Sequence, residues 1–163
     1  MNKEGRVVAV CTSKRTGMPK RPVDEAVLRV NWGIEGDAHA GDWHRQVSLL
    51  AMESIAKMQA KGLKVKPGSF AENITTEGLV LYELPVGTQM RLGTALAEVT
   101  QIGKICHEHC AIYELAGDCV MPREGIFVRI LEPGTVRADS PVTILSMPSP
   151  DETPSSTEDA PRE

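Results

Sequence analysis

The sequence predicts a mainly β protein with a few helices, folded as a closed or nearly closed antiparallel or mixed β-barrel. Three observations carry this. From Pro67 to Leu145 short apolar runs (71–75, 89–92, 96–102, 125–131 and 142–145) are separated by turns at Gly78, Pro85 to Gly87, Gly93, and Pro133 to Gly134. These runs do not alternate with long helical stretches, which argues against a doubly wound parallel sheet. The chain has 163 residues and is 41% hydrophobic but holds only six aromatics, two each of Trp, Tyr and Phe, so one core of aliphatic side chains is expected.

In chain order, the Val-rich run Arg6 to Thr12 is the first strand. The turn-rich stretch Ser13 to Pro22 follows, a loop whose Lys14, Arg15, Lys20 and Arg21 would meet an anionic ligand or simply be solvated. Ala26 to Val30 is a short strand. Gly33 to Asp37, G-I-E-G-D, reads as a tight turn with positive φ and not as a phosphate loop, since the lysine and spacing of a P-loop are missing. His39, Asp42 and His44 come next, at no established ligand spacing, and read as a polar loop in preference to a metal site. Gln46 to Leu50 is a strand. Ala51 to Gly62 is the one convincing helix, with Met52, Ile55, Ala56 and Met58 at helical spacing and Gly62 as its stop. The domain is expected to span residues 1–147. Residues 148–163 form a Pro/Ser-rich acidic tail without large apolar residues beyond its start, expected to be disordered.

The net charge of -4 is concentrated in that tail, where Asp151, Glu152, Glu158, Asp159 and Glu163 face only Arg162. A near-neutral body without long Lys/Arg runs argues against nucleic-acid binding. No stretch approaches the roughly 18 apolar residues of a membrane helix, and the start lacks the pattern of a signal peptide, so a cytoplasmic protein without membrane partners is expected. Its four cysteines are then reduced thiols.

Three of those cysteines, Cys106, Cys110 and Cys119, lie with His107 and His109 in one short segment. Three readings compete there. A closed tetrahedral zinc site is one, although C-x3-C without a second C-x2-C pair is poor knuckle spacing. Small buried thiols are the second and are the default for Cys11. The third is a reactive or metal-ligating thiolate, whose pKa Lys104, His107, His109 and Arg123 would lower.

Several segments taken together resemble the MOSC family, named after the C-terminal domain of molybdenum cofactor sulfurase. They are G-I-E-G-D (33–37), R-Q-V-S-L-L-A-M-E (45–53), P-G-S-F-A-E-N-I-T-T-E-G-L (67–79), V-G-T-Q-M-R-L-G (86–93), C-A-I (110–112) and G-I-F-V-R-I-L-E-P-G-T-V (125–136), in the family's order. The resemblance implies a strand-rich barrel, binding of a molybdenum cofactor (molybdopterin), and a cysteine that ligates molybdenum or carries sulfur. Cys110 matches that cysteine best, followed by Cys119 and Cys106. Arg45, Arg123, Arg129 and Arg15 would hold the pterin phosphate, Asn73 would hydrogen-bond the pterin, and His107 would stand beside the cofactor. Family members often have proline where this chain has His109, and a Gly-Asp pair where it has Ala138-Asp139.

Two roles follow from the resemblance: a carrier or accessory of cofactor or sulfur, working with a molybdoenzyme or cofactor-biosynthesis protein, and a reductase of N-hydroxylated compounds that needs an external electron donor. The absence of a recognisable redox domain in the chain favours the first. A zinc-stabilised binding module is the remaining alternative. The pyridoxal phosphate of cofactor sulfurases belongs to a domain not seen in this sequence, so that cofactor is not expected.

Overall fold

A computed structural model describes residues 3–16, 18–103 and 120–148. Its strands are β1 (Glu4–Thr12), β2 (Arg21–Val23), β3 (Glu25–Arg29), β4 (Gly33–Ile34), β5 (Val47–Ala51), β6 (Ile74–Glu77), β7 (Gln89–Leu92), β8 (Ala95–Ile102), β9 (Ile126–Glu132), β10 (Gly134–Arg137) and β11 (Pro141–Ser146). Helix α1 (Met52–Gln59) follows β5, and the one-turn helix α2 (Met121–Glu124) precedes β9.

Strand order β11-β7-β8-β9-β5-β6-β1 closes on itself because β1 also pairs with β11, through Glu4, Gly5 and Arg6 against Thr143, Val142 and Pro141. The result is a closed seven-stranded mixed barrel, as the turn spacing predicted. The β5–β6 pair is parallel and the other pairs of the barrel are antiparallel, since α1 carries the chain back between those two strands. A small sheet, β10-β3-β4, is hydrogen-bonded separately from the barrel sheet and sends Leu28, Ile34 and Val136 into the same core.

Alternation decides which side chains fill the barrel. In β8, Ala95, Ala97 and Val99 are buried while Leu96, Glu98 and Thr100 are less so. They join Val7, Leu49, Ile74, Met90, Val128 and Val142 in the main core. All five residues of β5 are buried because its other side meets a second cluster of Leu50, Ile55, Met58, Phe70, Met121 and Phe127. Met58 and Met121 thus serve packing, with Met52 against the same cluster.

Three expectations need adjustment. The helix is shorter than Ala51 to Gly62, ending at Gln59 before a turn in which Gly62 takes φ +92°. The run 71–75 is strand only from Ile74 onward. Before it, the Glu72 carboxylate accepts hydrogen bonds from Gly68 N (2.7 Å), Phe70 N (3.1 Å) and Thr75 Oγ1 (2.8 Å), which ties the backbone into a loop. Finally, Gly134 starts β10, paired with Leu28, instead of serving only as a turn.

Candidate functional site

A shallow, open cleft of about 400 Å³ lies beside the loop that follows β4, lined by Thr16 and the run from Ala38 to Trp43. The G-I-E-G-D turn sets this loop up. Gly33 takes φ +116°, and a Cβ there would lie 2.7 Å from the Gln46 carbonyl oxygen, so only glycine fits. Ile34 then enters the core, Glu35 pairs with Arg29 at the surface, and Asp37 turns inward.

Beneath the cleft lies a buried ionic cluster. Lys20 Nζ donates to Asp37 Oδ1 (2.9 Å) and Ser13 Oγ (3.0 Å) and contacts His39 Nδ1 at 3.1 Å; the Lys20 and Asp37 side chains are fully buried. Asp37 also accepts from the backbone N–H of Ser13 (3.1 Å) and of His39 (3.0 Å). Burial pushes the Asp37 carboxyl up, but the Lys20 ammonium and these N–H donors outweigh it and hold the group below its ordinary value.

The far wall joins the barrel. Trp43 Nε1 donates to the His39 carbonyl (2.9 Å), and the Arg45 guanidinium sits 4.8 Å from the Trp43 ring and 5.4 Å from the Phe127 ring. His44 Nε2 meets Gln101 Oε1 at 2.8 Å, and Gln101 Nε2 donates to the Gly103 carbonyl at 2.8 Å. His39, Asp42 and His44 therefore face Lys20, Asn31 and Gln101 separately. Among the described residues no three His, Cys, Asp or Glu side chains converge as metal ligands.

The predicted site residues fall in different places. Arg45 stands against Trp43 of the cleft wall, and exposed Arg15 precedes the cleft residue Thr16. Arg123 is exposed on α2. Arg129 points outward from β9 and pairs with Glu98 at 2.8 Å. Asn73 is fully buried, with Oδ1 accepting from Ser48 N (3.0 Å) and Ser48 Oγ (3.2 Å) and Nδ2 donating to the Cys11 carbonyl (3.2 Å), so it ties β5 to β1. Cys106, His107, Cys110 and Cys119 lie outside the described residues. Sequence reasoning placed Lys20 among loop bases that would meet an anionic ligand or be solvated, and Asp37 in a turn; their pairing was not foreseen. The one available signal was an acid directly after the Gly-x-x-Gly turn.

The donor set can be tested against a molybdenum cofactor. Cys11 is the one described cysteine, and burial first and the nearby Glu72 second push its thiol up to about 11. The raised value disfavours the thiolate form at Cys11. Arg45 carries a guanidinium, a group whose fork matches phosphate oxygens, and the polar contacts of Gln101 and Gly103 lie on the neighbouring strand; this donor chemistry would suit the phosphate of such a cofactor.

The MOSC domain model matches residues 35–143, and the chain belongs to that family. The protein YiiM of Escherichia coli (strain K12) is 26% identical over 158 residues, covering 87% of this chain and 69% of YiiM. The crystal structure of that YiiM superposes with a TM-score of 0.67 at 25% identity, covering 91% of this chain and 72% of the other. The YUAD protein of Bacillus subtilis shares the fold, with a TM-score of 0.72 at 15% identity over 86% of this chain and 95% of its own. Among the described residues no helix is long and apolar enough to cross a membrane.

Proposed function

We propose that this MOSC protein handles the molybdenum cofactor as a carrier or accessory of cofactor or sulfur. The observation that supports it is the setting of the thiol-bearing segment, residues 104–119. It departs from Gly103, whose carbonyl is held by Gln101, and the chain re-enters the described fold at Val120. Gln101 is the register partner of Phe127, on which Arg45 stacks, and Gly103 N donates to the Gly125 carbonyl at 2.6 Å. Fixed polar groups thus hold Gly103, from which the segment that carries three cysteines departs, with the Arg45 guanidinium over the ring of Phe127 on the neighbouring strand.

In this reading Cys110 supplies the thiolate, with Cys119 and Cys106 as further thiols and His107 beside them. Arg45, Arg123 and Arg15 hold the phosphate, for which a guanidinium offers a matching fork. When bound, the cofactor supplies a soft molybdenum centre with dithiolene sulfur; the chain binds, orients and shields it. Anaerobic incubation with molybdenum cofactor followed by elemental analysis tests this. About one molybdenum per chain is expected for the wild type, as one soft-ligand site implies, and much less for Cys110→Ser. Equal loading of both would remove Cys110 from the role, and turnover of an amidoxime with a chemical electron donor would replace the carrier role by a reductase.

A further inference from the structure

Two loops that meet beside the end of β1 make a face of one charge sign. Residues 13–23 and 60–71 hold several bases and no acid. Lys20 N donates to the Gly68 carbonyl at 2.9 Å, and a Cβ on Gly68 would run into the Lys20 carbonyl, so the two backbones lie in contact. Arg21 pairs in register with Thr12, and Lys66 lies near enough to Cys11 beside it to act electrostatically on its thiol. Lys14, Arg15, Arg21, Lys64 and Lys66 are all exposed. Of the acids near them, Asp37 is met by Lys20, Glu72 is fully buried, and Asp24 stands past the end of the first loop.

Apolar groups stand among these charges. In residues 18–23 Lys20 alone turns inward, to the Asp37 carboxylate at 2.9 Å. That leaves Met18, Pro19, Arg21, Pro22 and Val23 exposed, Met18 by 42% and Val23 by 37%. The buried ion pair thus anchors a surface strap, which ends in β2 at the edge of its sheet with β1 as its neighbour. Pro19 and Pro22 have no N–H, so this strap leaves water with fewer unpaired donors than an ordinary one. Pro22 in an edge strand also hinders another chain from adding a strand there. The single aromatic residue of the two loops, Phe70, is buried, so a nucleic-acid base has no ring to stack on. Exposed apolar groups interleaved with Lys and Arg suit an anionic lipid surface, which offers charged headgroups and apolar depth and demands no register.

We propose that the strap of residues 18–23 and the lysines of the neighbouring loop form a docking surface for an anionic membrane. Met18 enters the interface, and Lys14, Arg21, Lys64 and Lys66 face the headgroups. A contact of this kind needs no membrane-spanning segment. It is independent of the cofactor reading, since Arg15, given above to the cofactor phosphate, is not required and the readout needs no molybdenum.

The test floats the full chain with vesicles of phosphatidylcholine and phosphatidylglycerol in about equal parts, and with vesicles of phosphatidylcholine alone. Binding is expected to the anionic vesicles only, and to weaken as salt is raised and screens the cations. Lys64→Glu/Lys66→Glu is expected to lower vesicle affinity at least about tenfold while its thermal melt stays that of the wild type. Lys3→Glu/Arg137→Glu, an equal change of net charge at exposed positions away from this face, is expected to keep the affinity. Met18→Ser is expected to lower it several-fold. Lack of binding to anionic vesicles, equal binding to the phosphatidylcholine vesicles, or an equal loss in the two charge-reversed variants would overturn the docking surface. Undiminished binding of Met18→Ser, or tighter binding to a duplex DNA fragment than to the vesicles, would overturn the lipid assignment in favour of a purely electrostatic face.

Discussion

Thr76 Oγ1 is the one buried side-chain polar atom without a hydrogen-bond partner among the described residues. Leaving a hydroxyl unpaired in a core costs about 1–3 kcal/mol. Thr76→Val keeps the shape and removes the unpaired group, so a stabilisation of roughly 1 kcal/mol is expected in urea denaturation. Lys20 and Asp37 behave differently. Removing either partner alone strands a buried charge at a cost of about 3–5 kcal/mol, whereas Lys20→Met/Asp37→Leu is expected to be neutral or stabilising. The same pair governs acid sensitivity. Because Asp37 is held below its unfolded value of about 4, its contribution is fully present above that pH and is lost as pH falls through the folded value. Urea melts below about pH 4 should therefore fall more steeply with acid for the wild type than for the double variant. Neither effect was legible in the sequence, where Lys20 is one base among four in a Pro/Gly loop and its burial depends on a carboxylate 17 positions away.

Helices α1 and α2 are joined by Glu124, which accepts from Ser54 Oγ at 2.5 Å and Lys57 Nζ at 2.8 Å. Burial pushes this carboxyl up, but Lys57 and Ser54 together hold it below its ordinary value. Magnitudes rank the two partners. The Lys57 side chain is 54% exposed, so its ion pair is worth at most about 1 kcal/mol. Ser54 is buried, and its bond to a carboxylate is worth about 1.5–3 kcal/mol. Ser54→Ala is expected to lower the melting temperature more than Lys57→Ala, and the reverse order would show that the exposed pair dominates. The helical period of α1 is visible in its sequence, as is its buried face of Ile55 and Met58. Helix α2 is not, because a single turn has no period and Pro122 there reads as a breaker unless it stands at a helix start.

The whole molecule depends on closure. Strand β11 pairs with both β7 and β1, and fully buried Val142 lies opposite Leu92 on one side and Gly5 on the other. Deleting residues 141–148 would leave two open edges, and exposed edges recruit other chains. The expected outcome is aggregation seen by size-exclusion chromatography, whereas a monomeric product would mean that the remaining sheet is self-sufficient. The β8–β9 pairing sets Gln101 opposite Phe127, the ring over which Arg45 lies.

Most of the longer strands and the family were determined by sequence alone, since alternation, glycine turns and ordered motifs are local properties of the chain. Short strands such as β4 and β10 escaped because two to four residues carry too little pattern to read. What only the tertiary structure decided is which polar residues leave solvent. Lys20, Asp37 and His39 meet because distant loops fold over one another, and their charge states follow from that burial. Asn73, a candidate for ligand contact by its motif, instead lies inside as a strut between β1 and β5, where a single side-chain amide bonds two strands at once.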